Sequence, residues 1–294
     1  MNRLARRKLT SRVAAGVCIL FAFAALYPLY SVLSIVVSNG WRHVNWEFLT
    51  TVRSGHIVKS PGSIAFVTTG GIQHAIVGTG LVVGIGTLLG APLGILAGIH
   101  LAEARPSRLT ATVRVAADAM AGIPSIVAGL FGFALIVATA PNIFTHDGYS
   151  AWAGGVALAV LMVPTVTRTT EEALRTVPQS LREASLALGA PGWYTIIRVV
   201  LPAAWGAVTT GLLLGVARIA GETAPLLLTA GTSGSFLQTD PSKPVTTLPF
   251  VIYDYYKQRG DLEGPAWGAA LVLISMILVL NLTVRLLSRR RLPV

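Results

Sequence analysis

Two charged residues lie four positions apart inside an apolar stretch of the chain. Between Val199 and Thr239, Arg218 and Glu222 are the only charged residues. An arginine at the centre of a bilayer costs about 2.5–3.5 kcal/mol on insertion scales, which makes an intramembrane arginine a candidate site. Its guanidinium group presents a planar fork of donors that matches two oxygens of a tetrahedral oxyanion, and it stays charged when buried. The residue types therefore predict that Arg218 binds an anion.

Glu222 would follow Arg218 by one turn of a continuous helix, so that both side chains lie on one face. The carboxylate would offset the guanidinium charge when no anion is bound. It could also accept a hydrogen bond from a protonated oxyanion such as hydrogen phosphate, whereas sulfate has no such proton at neutral pH. We assign Arg218, Glu222 and the adjoining Thr223 to a substrate pathway. A structural ion pair that fixes helix packing is the alternative.

A polar segment from Thr167 to Pro202 interrupts the otherwise apolar sequence. Ser180 followed by Glu183 has the spacing of a capping box, which predicts a short helix that begins there and runs to Gly189. Leucine side chains of this helix could enter a groove on a soluble partner, with Arg182 and Glu183 at the rim. An amphipathic helix that lies among lipid headgroups is the alternative.

The spacing within this segment resembles the cytoplasmic coupling loop of ABC-importer permeases. That loop reads Glu-Ala-Ala, three residues, Gly, nine residues, an aliphatic residue, one residue and Leu-Pro. The spacing here is the same; Ser185 stands where alanine is usual and Val199 where isoleucine is usual. No phosphate-binding Gly-x-x-x-x-Gly-Lys-Ser/Thr loop occurs in the sequence, so a partner ATPase would use ATP and Mg²⁺, and we predict no cofactor bound by this chain. The resemblance implies coupling to that ATPase through Glu183, Ala184, Ser185, Gly189, Leu201 and Pro202.

The composition places the chain in a membrane. Hydrophobic residues make up 53% of the 294 residues and charged residues 12%, a balance that excludes a water-soluble surface for most of the chain. Apolar runs of about 20 residues suit membrane-crossing helices. We therefore predict an all-α membrane protein with six transmembrane helices in one domain, residues 1–294. The predicted spans are 13–38, 72–102, 115–140, 150–168, 203–231 and 264–287, with a cytoplasmic coupling loop at 168–202 and extracytoplasmic loops at 39–71 and 232–263.

The distribution of basic residues predicts the orientation. With both termini in the cytoplasm, 16 of the 23 basic residues lie on the cytoplasmic side, six lie outside and Arg218 lies in the membrane, which is the bias of the positive-inside rule. Arginine runs near both ends, including Arg289-Arg290-Arg291, predict contact with anionic membrane lipids and not with nucleic acid. The single Cys18 excludes an intrachain disulfide.

Helical spacing predicts two packing contacts. Glycines recur every four residues in the second span and form one stripe, which favours close packing of a neighbouring helix over a pore lining. Arg114 and Asp118 lie one helical turn apart and predict an ion pair at the membrane surface, with a gate as the alternative. Prolines inside apolar runs predict broken or kinked helices, unless neighbouring groups bond to the freed carbonyl oxygens. The residues concerned are Gly86, Gly90, Gly94 and Gly98, and Pro92, Pro124, Pro164 and Pro225.

Two further stretches are similar to the phosphate-specific ABC permeases. Residues 217–225, ARIAGETAP, are similar to their Arg-x-x-Gly-Glu-Thr-Ala-Pro stretch, and residues 122–131, GIPSIVAGLF, resemble the signature of their third span. Over residues 70–290 the chain most resembles the PstA-type subunit of this family. The resemblance implies a type I, MetI-like permease of a bacterial inner membrane, paired as a heterodimer with a PstC-type permease, and a role for Arg218 in phosphate passage. It also implies a PstB-type ATPase dimer and an external phosphate-binding protein.

The predicted function is that of a non-catalytic permease subunit which moves inorganic phosphate into the cytoplasm by ATP-driven alternating access. A permease for sulfate, molybdate or another solute is the nearest alternative. A membrane enzyme acting on a lipid phosphate would use Arg218 as an anion clamp, but the five histidines are scattered and none has a carboxylate at the spacing of a metal or acid–base site. A passive anion channel would not need the coupling loop. We predict no catalytic residue and no metal site.

Overall fold

The structure is a computed structural model that describes residues 3–60, 63–139, 148–234, 236–258 and 262–289. His146, Arg259, Arg290 and Arg291, which entered the predictions above, lie outside the described residues. The described residues are mostly helical and include a two-stranded hairpin. In chain order the elements are α1 (Arg3–Gly40), α2 (Trp46–Thr50), β1 (Ser54–Ser60), β2 (Ser63–Thr69), α3 (Gln73–Glu103), α4 (Arg108–Ala121), α5 (Ser125–Gly132), α6 (Ala151–Arg175), α7 (Gln179–Ala187), α8 (Gly192–Thr195), α9 (Leu201–Ala220), α10 (Ala224–Thr229), α11 (Leu248–Gln258) and α12 (Glu263–Arg289).

Five helical segments of the described chain are long and apolar enough to cross a membrane, and a bent pair can make a sixth span. The five segments are 11–40, 73–103, 151–175, 192–220 and 263–286. The bent pair consists of α4 and of α5 with the π-helical turn that follows it, Phe133–Ala138, and its bend is 108°. The span predicted over 115–140 is therefore not one straight helix. The bend lies at Gly122-Ile123-Pro124, because proline lacks an N–H group and disfavours helical backbone in the residue before it.

The fifth predicted span, 203–231, is also interrupted. Helix α9 ends at Ala220, and the short α10 begins only at Ala224. Pro225 occupies the first turn of α10, where its missing N–H group is tolerated, and cannot continue a preceding helix. Glu222 therefore lies in a non-helical break, and the prediction that it shares a helical face with Arg218 is wrong. Helix α6 runs to Arg175, beyond the predicted end at 168.

The core of the fold is the packing of α3 against α6. Each glycine of the stripe is buried and faces one residue of α6. A Cβ atom added at these glycines would lie 2.6–3.1 Å from the Cβ atom of the facing residue. Because both sets advance by four residues in the same direction, the two helices run parallel. The predicted packing role of the stripe is confirmed. The pairs are Gly86 with Leu158, Gly90 with Met162, Gly94 with Val166 and Gly98 with Thr170.

The two long predicted loops contain structure of their own. Strands β1 and β2 form an antiparallel hairpin within 39–71, an addition to the predicted all-α fold. Its base is fixed where the Ile72 amide donates to the Phe48 carbonyl oxygen at 2.8 Å. Helix α11 lies within 232–263 and buries Leu248, Val251 and Tyr255 against the last helix. Tyr255, one of the aromatic residues in the stretch 249–256, is thus part of the core.

The glycine contact gives a stability prediction. We expect Gly94→Ala to lower the unfolding midpoint of the detergent-solubilised protein, because its Cβ atom would lie 2.7 Å from that of Val166 and overpacking costs about 1–3 kcal/mol. Gly84→Ala is the matched control on the same helix, since nothing lies within 4 Å of its added Cβ atom. Thermal unfolding followed by size-exclusion chromatography measures both. Equal midpoints for the two variants would contradict the contact.

Candidate functional site

Arg218 lies in the last turn of α9 and is exposed. Its position follows from the packing of α9 on α6, where Gly211 allows close approach to Thr169, and Gly215 to Val166. Since Gly211 precedes Gly215 while Thr169 follows Val166, the two helices run antiparallel. One turn further along, Arg218 Nη1 donates a hydrogen bond of 2.9 Å to Thr165 Oγ1.

Thr165 is a site residue that sequence reasoning missed. Threonine is common in membrane helices, because its hydroxyl can bond to its own backbone, and Thr165 is one of four threonines between 165 and 170, so its position carries no signal alone. The signal would have been a pair of glycines, Gly211 and Gly215, that place α9 close to α6. That signal becomes readable only once it is known that α6 is the neighbouring helix.

Glu222 and Thr223 lie in the break between α9 and α10, and both are half-buried. The Glu222 amide donates to the Ile219 carbonyl oxygen at 3.3 Å. The Arg218 side chain binds Thr165. Among the described residues, no ion pair joins Arg218 to Glu222. The predicted offsetting of Arg218 by Glu222 is therefore wrong in this conformation, because the chain leaves the helix at Gly221 before Glu222.

The two family-like stretches contact each other. A Cβ atom added at Gly129, in α5, would lie 2.6 Å from the Cα atom of Pro225, in α10. Gly129 belongs to the stretch 122–131, and Pro225 ends the stretch 217–225 that carries Arg218. Helix α5, which follows the bend of the third span, thus packs on α10, which follows the break of the fifth span.

Helix α7 is the predicted coupling helix, and its start differs from the prediction. Pro178 occupies the N-cap position, no side chain caps the helix, and Ser180 is already its second residue. The capping-box prediction is wrong, because the fixed φ of Pro178 starts the helix two residues before Ser180 could cap it. Gly189 ends the helix as predicted: its φ is +81° and its amide donates to the Leu186 carbonyl oxygen at 2.9 Å.

Some residues of the coupling motif are exposed and others are half-buried. Glu183, Ala184 and Gly189 are exposed, as is Pro202 at the start of α9, and α7 buries none of its residues. Ser185 is half-buried, and its hydroxyl lies 2.9 Å from that of buried Thr195, which ties α7 to α8. The serine in place of alanine thus has a bonding role that sequence comparison did not indicate. Leu201 is half-buried against the apolar cluster at the end of α6.

Large apolar side chains close in sequence to these exposed motif residues are exposed as well. The exposed fraction is 50% for Leu186, 89% for Leu188 and 65% for Trp193. We call these three exposed apolar residues, together with exposed Glu183, the coupling surface. Arg182, predicted at the rim beside Glu183, is turned inward instead, with 15% of its side chain exposed.

A charge cluster lies beside this surface, at the end of α6. Buried Glu171 accepts a hydrogen bond of 3.1 Å from Arg168 Nη1. Arg114 Nη2 and Arg175 Nη2 lie 2.8 and 2.7 Å from Glu171 Oε1, but their N–H groups are not aligned with it and make ion pairs without hydrogen bonds. Asp118 pairs with Arg168. The predicted pair of Arg114 with Asp118 is wrong, because α4 packs on α6 and both side chains bind charges there.

Comparison with known proteins gives one family. A family model described as "Binding-protein-dependent transport system inner membrane component" matches residues 90–293. The phosphate transport system permease protein PstA of Yersinia pestis is 42% identical over 224 residues, which cover 76% of this chain and 74% of that protein. PstA 1 of Mycobacterium tuberculosis is 37% identical over 297 residues, covering 98% and 92% of the two chains.

Solved structures agree on the fold. A chain of the inward-facing MetNI methionine ABC transporter matches with a TM-score of 0.60 and 20% identity, covering 76% of this chain and 98% of its own. A chain of a bacterial alginate ABC transporter, in complex with an alginate pentasaccharide-bound periplasmic protein, matches with a TM-score of 0.66 and 16% identity over 98% of both chains. These likenesses confirm the all-α architecture with MetI-like neighbours.

The charge cluster gives a second stability prediction. We expect Glu171→Gln to destabilise the protein by about 1.5–3 kcal/mol, the range for hydrogen bonds to charged groups, because three arginines lose their shared carboxylate. Glu172→Gln is the matched control, since Glu172 is the neighbouring residue and is exposed. Thermal unfolding midpoints measure both variants. A Glu171→Gln midpoint equal to that of Glu172→Gln would show that the cluster does not hold α4 to α6.

Proposed function

Because the chain belongs to the family of binding-protein-dependent transport system inner membrane components, we propose that it carries inorganic phosphate across a bacterial cytoplasmic membrane. The family match covers residues 90–293, and the PstA-type relatives, named for phosphate transport, match at 42% and 37% identity. The chain is a multi-pass membrane protein and a permease subunit of an ABC importer. It is not the subunit that hydrolyses ATP.

The observation that supports an anion as the substrate is the partner of Arg218. Its Nη1 atom binds the neutral Thr165 hydroxyl, which fixes the direction of the guanidinium without neutralising its charge. A guanidinium has five N–H donors, and one such bond leaves the others for a tetrahedral oxyanion. Because Arg218 is exposed on α9, an anion can approach it.

The break after α9 supports the rest of the pathway. At membrane depth, non-helical backbone is tolerated where it is buried in protein or lines a water-filled cavity. Glu222 and Thr223 lie in such a break, four and five residues after Arg218. In our proposal they line the same pathway, where Thr223 offers a hydroxyl and Glu222 accepts a hydrogen bond from protonated phosphate.

The partners follow from the family and from the coupling surface. We place a PstC-type permease beside this chain, a PstB-type ATPase dimer against the coupling surface and an external phosphate-binding protein on the opposite side. ATP and Mg²⁺ are bound by the ATPase. The excess of basic residues on the termini and the coupling loop supports a cytoplasmic location for both termini.

Phosphate uptake tests the pathway. In cells that lack this chain, we expect Arg218→Gln to import phosphate at least about tenfold more slowly than wild type, because one lost hydrogen bond to a charged group corresponds to roughly 1.5–3 kcal/mol. Thr165→Val should reduce uptake, and Thr165→Ser, which keeps the hydroxyl, should restore it. Radiolabelled phosphate measures uptake and sulfate is the control solute. Normal uptake by Arg218→Gln, at equal membrane levels, would make Arg218 structural.

A separate variant tests the coupling surface. Glu183→Ala should lose both phosphate uptake and co-purification of the ATPase, because the exposed carboxylate lies at the centre of the proposed contact. Arg218→Gln should keep the ATPase bound. Glu47→Ala is the control, an exposed carboxylate in α2, remote from the coupling motif. If Glu183→Ala retained the ATPase and full uptake, the ATPase would have to bind elsewhere.

A further inference from the structure

Arg182 is the one charged residue of α7 that turns away from the coupling surface. Its Nη2 atom lies 2.8 Å from Glu103 Oε1, and its Nε atom donates to Glu103 Oε2 at 3.4 Å. The exposed fractions of the two side chains are 15% and 14%. This is a two-point, largely buried ion pair between α7 and the last residue of α3, a geometry that gives directional specificity.

The same guanidinium also binds the end of α6. Arg182 Nη1 donates to the Val177 carbonyl oxygen at 2.6 Å, and Nη2 donates to the Leu174 carbonyl oxygen at 2.8 Å. The last carbonyl groups of a helix lack partners within the helix and carry its negative dipole end, so a cation is favoured there. One side chain therefore joins the coupling helix to the ends of both α3 and α6.

These two ends belong to one packed unit. The glycine stripe holds α3 against α6 along four successive turns, from Gly86 to Gly98. The end of α6 at Leu174 is nine residues from Thr165, a rise of roughly 14 Å along the helix, and Thr165 binds Arg218. Arg182 is thus connected to Arg218 through its hydrogen bond to Leu174, the backbone of α6 and the hydrogen bond of Thr165.

We propose that Arg182 is a positioning residue that makes α3 and α6 follow the coupling helix when the ATPase moves it. We call its four contacts with Glu103, Leu174 and Val177 the Arg182 latch. The proposal rests on the proposed function and adds to it the element that transmits the movement. Docking of the ATPase involves the coupling surface, whereas Arg182 lies behind that surface and acts on the permease itself.

The alternative is that Arg182 only folds the loop. In that case its loss would lower the amount of protein or release the ATPase. The latch predicts a different result: the ATPase stays bound and hydrolyses ATP, but less phosphate is imported for each ATP. The ratio of phosphate imported to ATP hydrolysed measures this coupling. For Arg182→Gln we expect this ratio to fall at least about fivefold, the lower end of typical coupling between two sites.

The experiment uses the full complex in proteoliposomes, with both permease subunits, the ATPase and the external binding protein loaded with phosphate. Arg198→Gln is the matched control, because Arg198 is an exposed arginine of the same segment; it should keep the wild-type ratio. Arg182→Lys should recover part of the ratio, since an ammonium group can still pair with Glu103 but does not reproduce the fork. A wild-type ratio in Arg182→Gln overturns the latch, as does loss of the ATPase from that variant.

A second readout does not depend on phosphate. Spin labels at exposed Glu172 in α6 and exposed Ala187 in α7, in a Cys18→Ser background, report the distance between the two helices by electron paramagnetic resonance. We expect ATP to leave this distance unchanged in the wild type and to change it in Arg182→Gln and in Glu103→Gln, with no further change in the double variant. If Arg182→Gln itself is not present in the membrane at the wild-type level, the milder Glu103→Gln decides. A distance that responds to ATP in the same way in wild type and in the assembled variants overturns the latch.

Failure of the proposed function and failure of the Arg182 latch give different experimental results. If the wild-type complex hydrolyses ATP but imports no phosphate, the proposed function fails, and the spin-label distances still decide whether α7 and α6 move together. If phosphate is imported normally and the distances do not depend on Arg182, the proposed function stands and the latch fails.

Discussion

The close contact between α3 and α6 is the constraint on which the rest of the structure depends. Four glycines of α3 leave room for four residues of α6 that are spaced four apart, and a side chain at any of these glycines would crowd the facing residue. This contact fixes the register of the two helices, so that Glu103 and Leu174 end side by side and both lie within reach of Arg182. Helix α6 also packs on α9 through Gly211 and Gly215, with Val166 in contact with both α3 and α9, and the position of Arg218 follows from that second contact.

The arginines differ in role according to the side-chain group that each one binds. Arg114, Arg168, Arg175 and Arg182 are bound to carboxylates, and each of these pairs joins two helices or stabilises a helix end. Their charge is used within the fold. Arg218 is bound to a hydroxyl instead, so its orientation is fixed while its charge stays available. A buried carboxylate at position 165 would also have held the side chain, but it would have competed with any anion for the same donors.

The sequence predicts local features well and pairings between distant residues poorly. The apolar runs, the glycine stripe and the helix end at Gly189 each depend on the residue and its neighbours along the chain, and the structure agrees with all three. The pairing of Arg218 with Glu222 assumed a continuous helix, which Gly221 and Pro225 prevent. The partners of Arg114 and Arg182 lie 57 and 79 residues away in the chain, so they depend on which helices are neighbours. Thr165 was missed for the same reason.

The prolines divide the helices into continuous and broken ones, and this division suggests which parts move. Pro92 and Pro164 lie inside α3 and α6 without ending them, because close packing on both helices holds the backbone in place. Pro124 and Pro225 lie at the bend before α5 and at the break before α10, and these two elements pack on each other at Gly129. The fold thus contains one continuous pair of helices that binds the coupling helix and one broken pair beside the pathway. Since α9 packs on the continuous pair and leads into the broken one, a displacement of the coupling helix would be taken up at the break that contains Glu222 and Thr223.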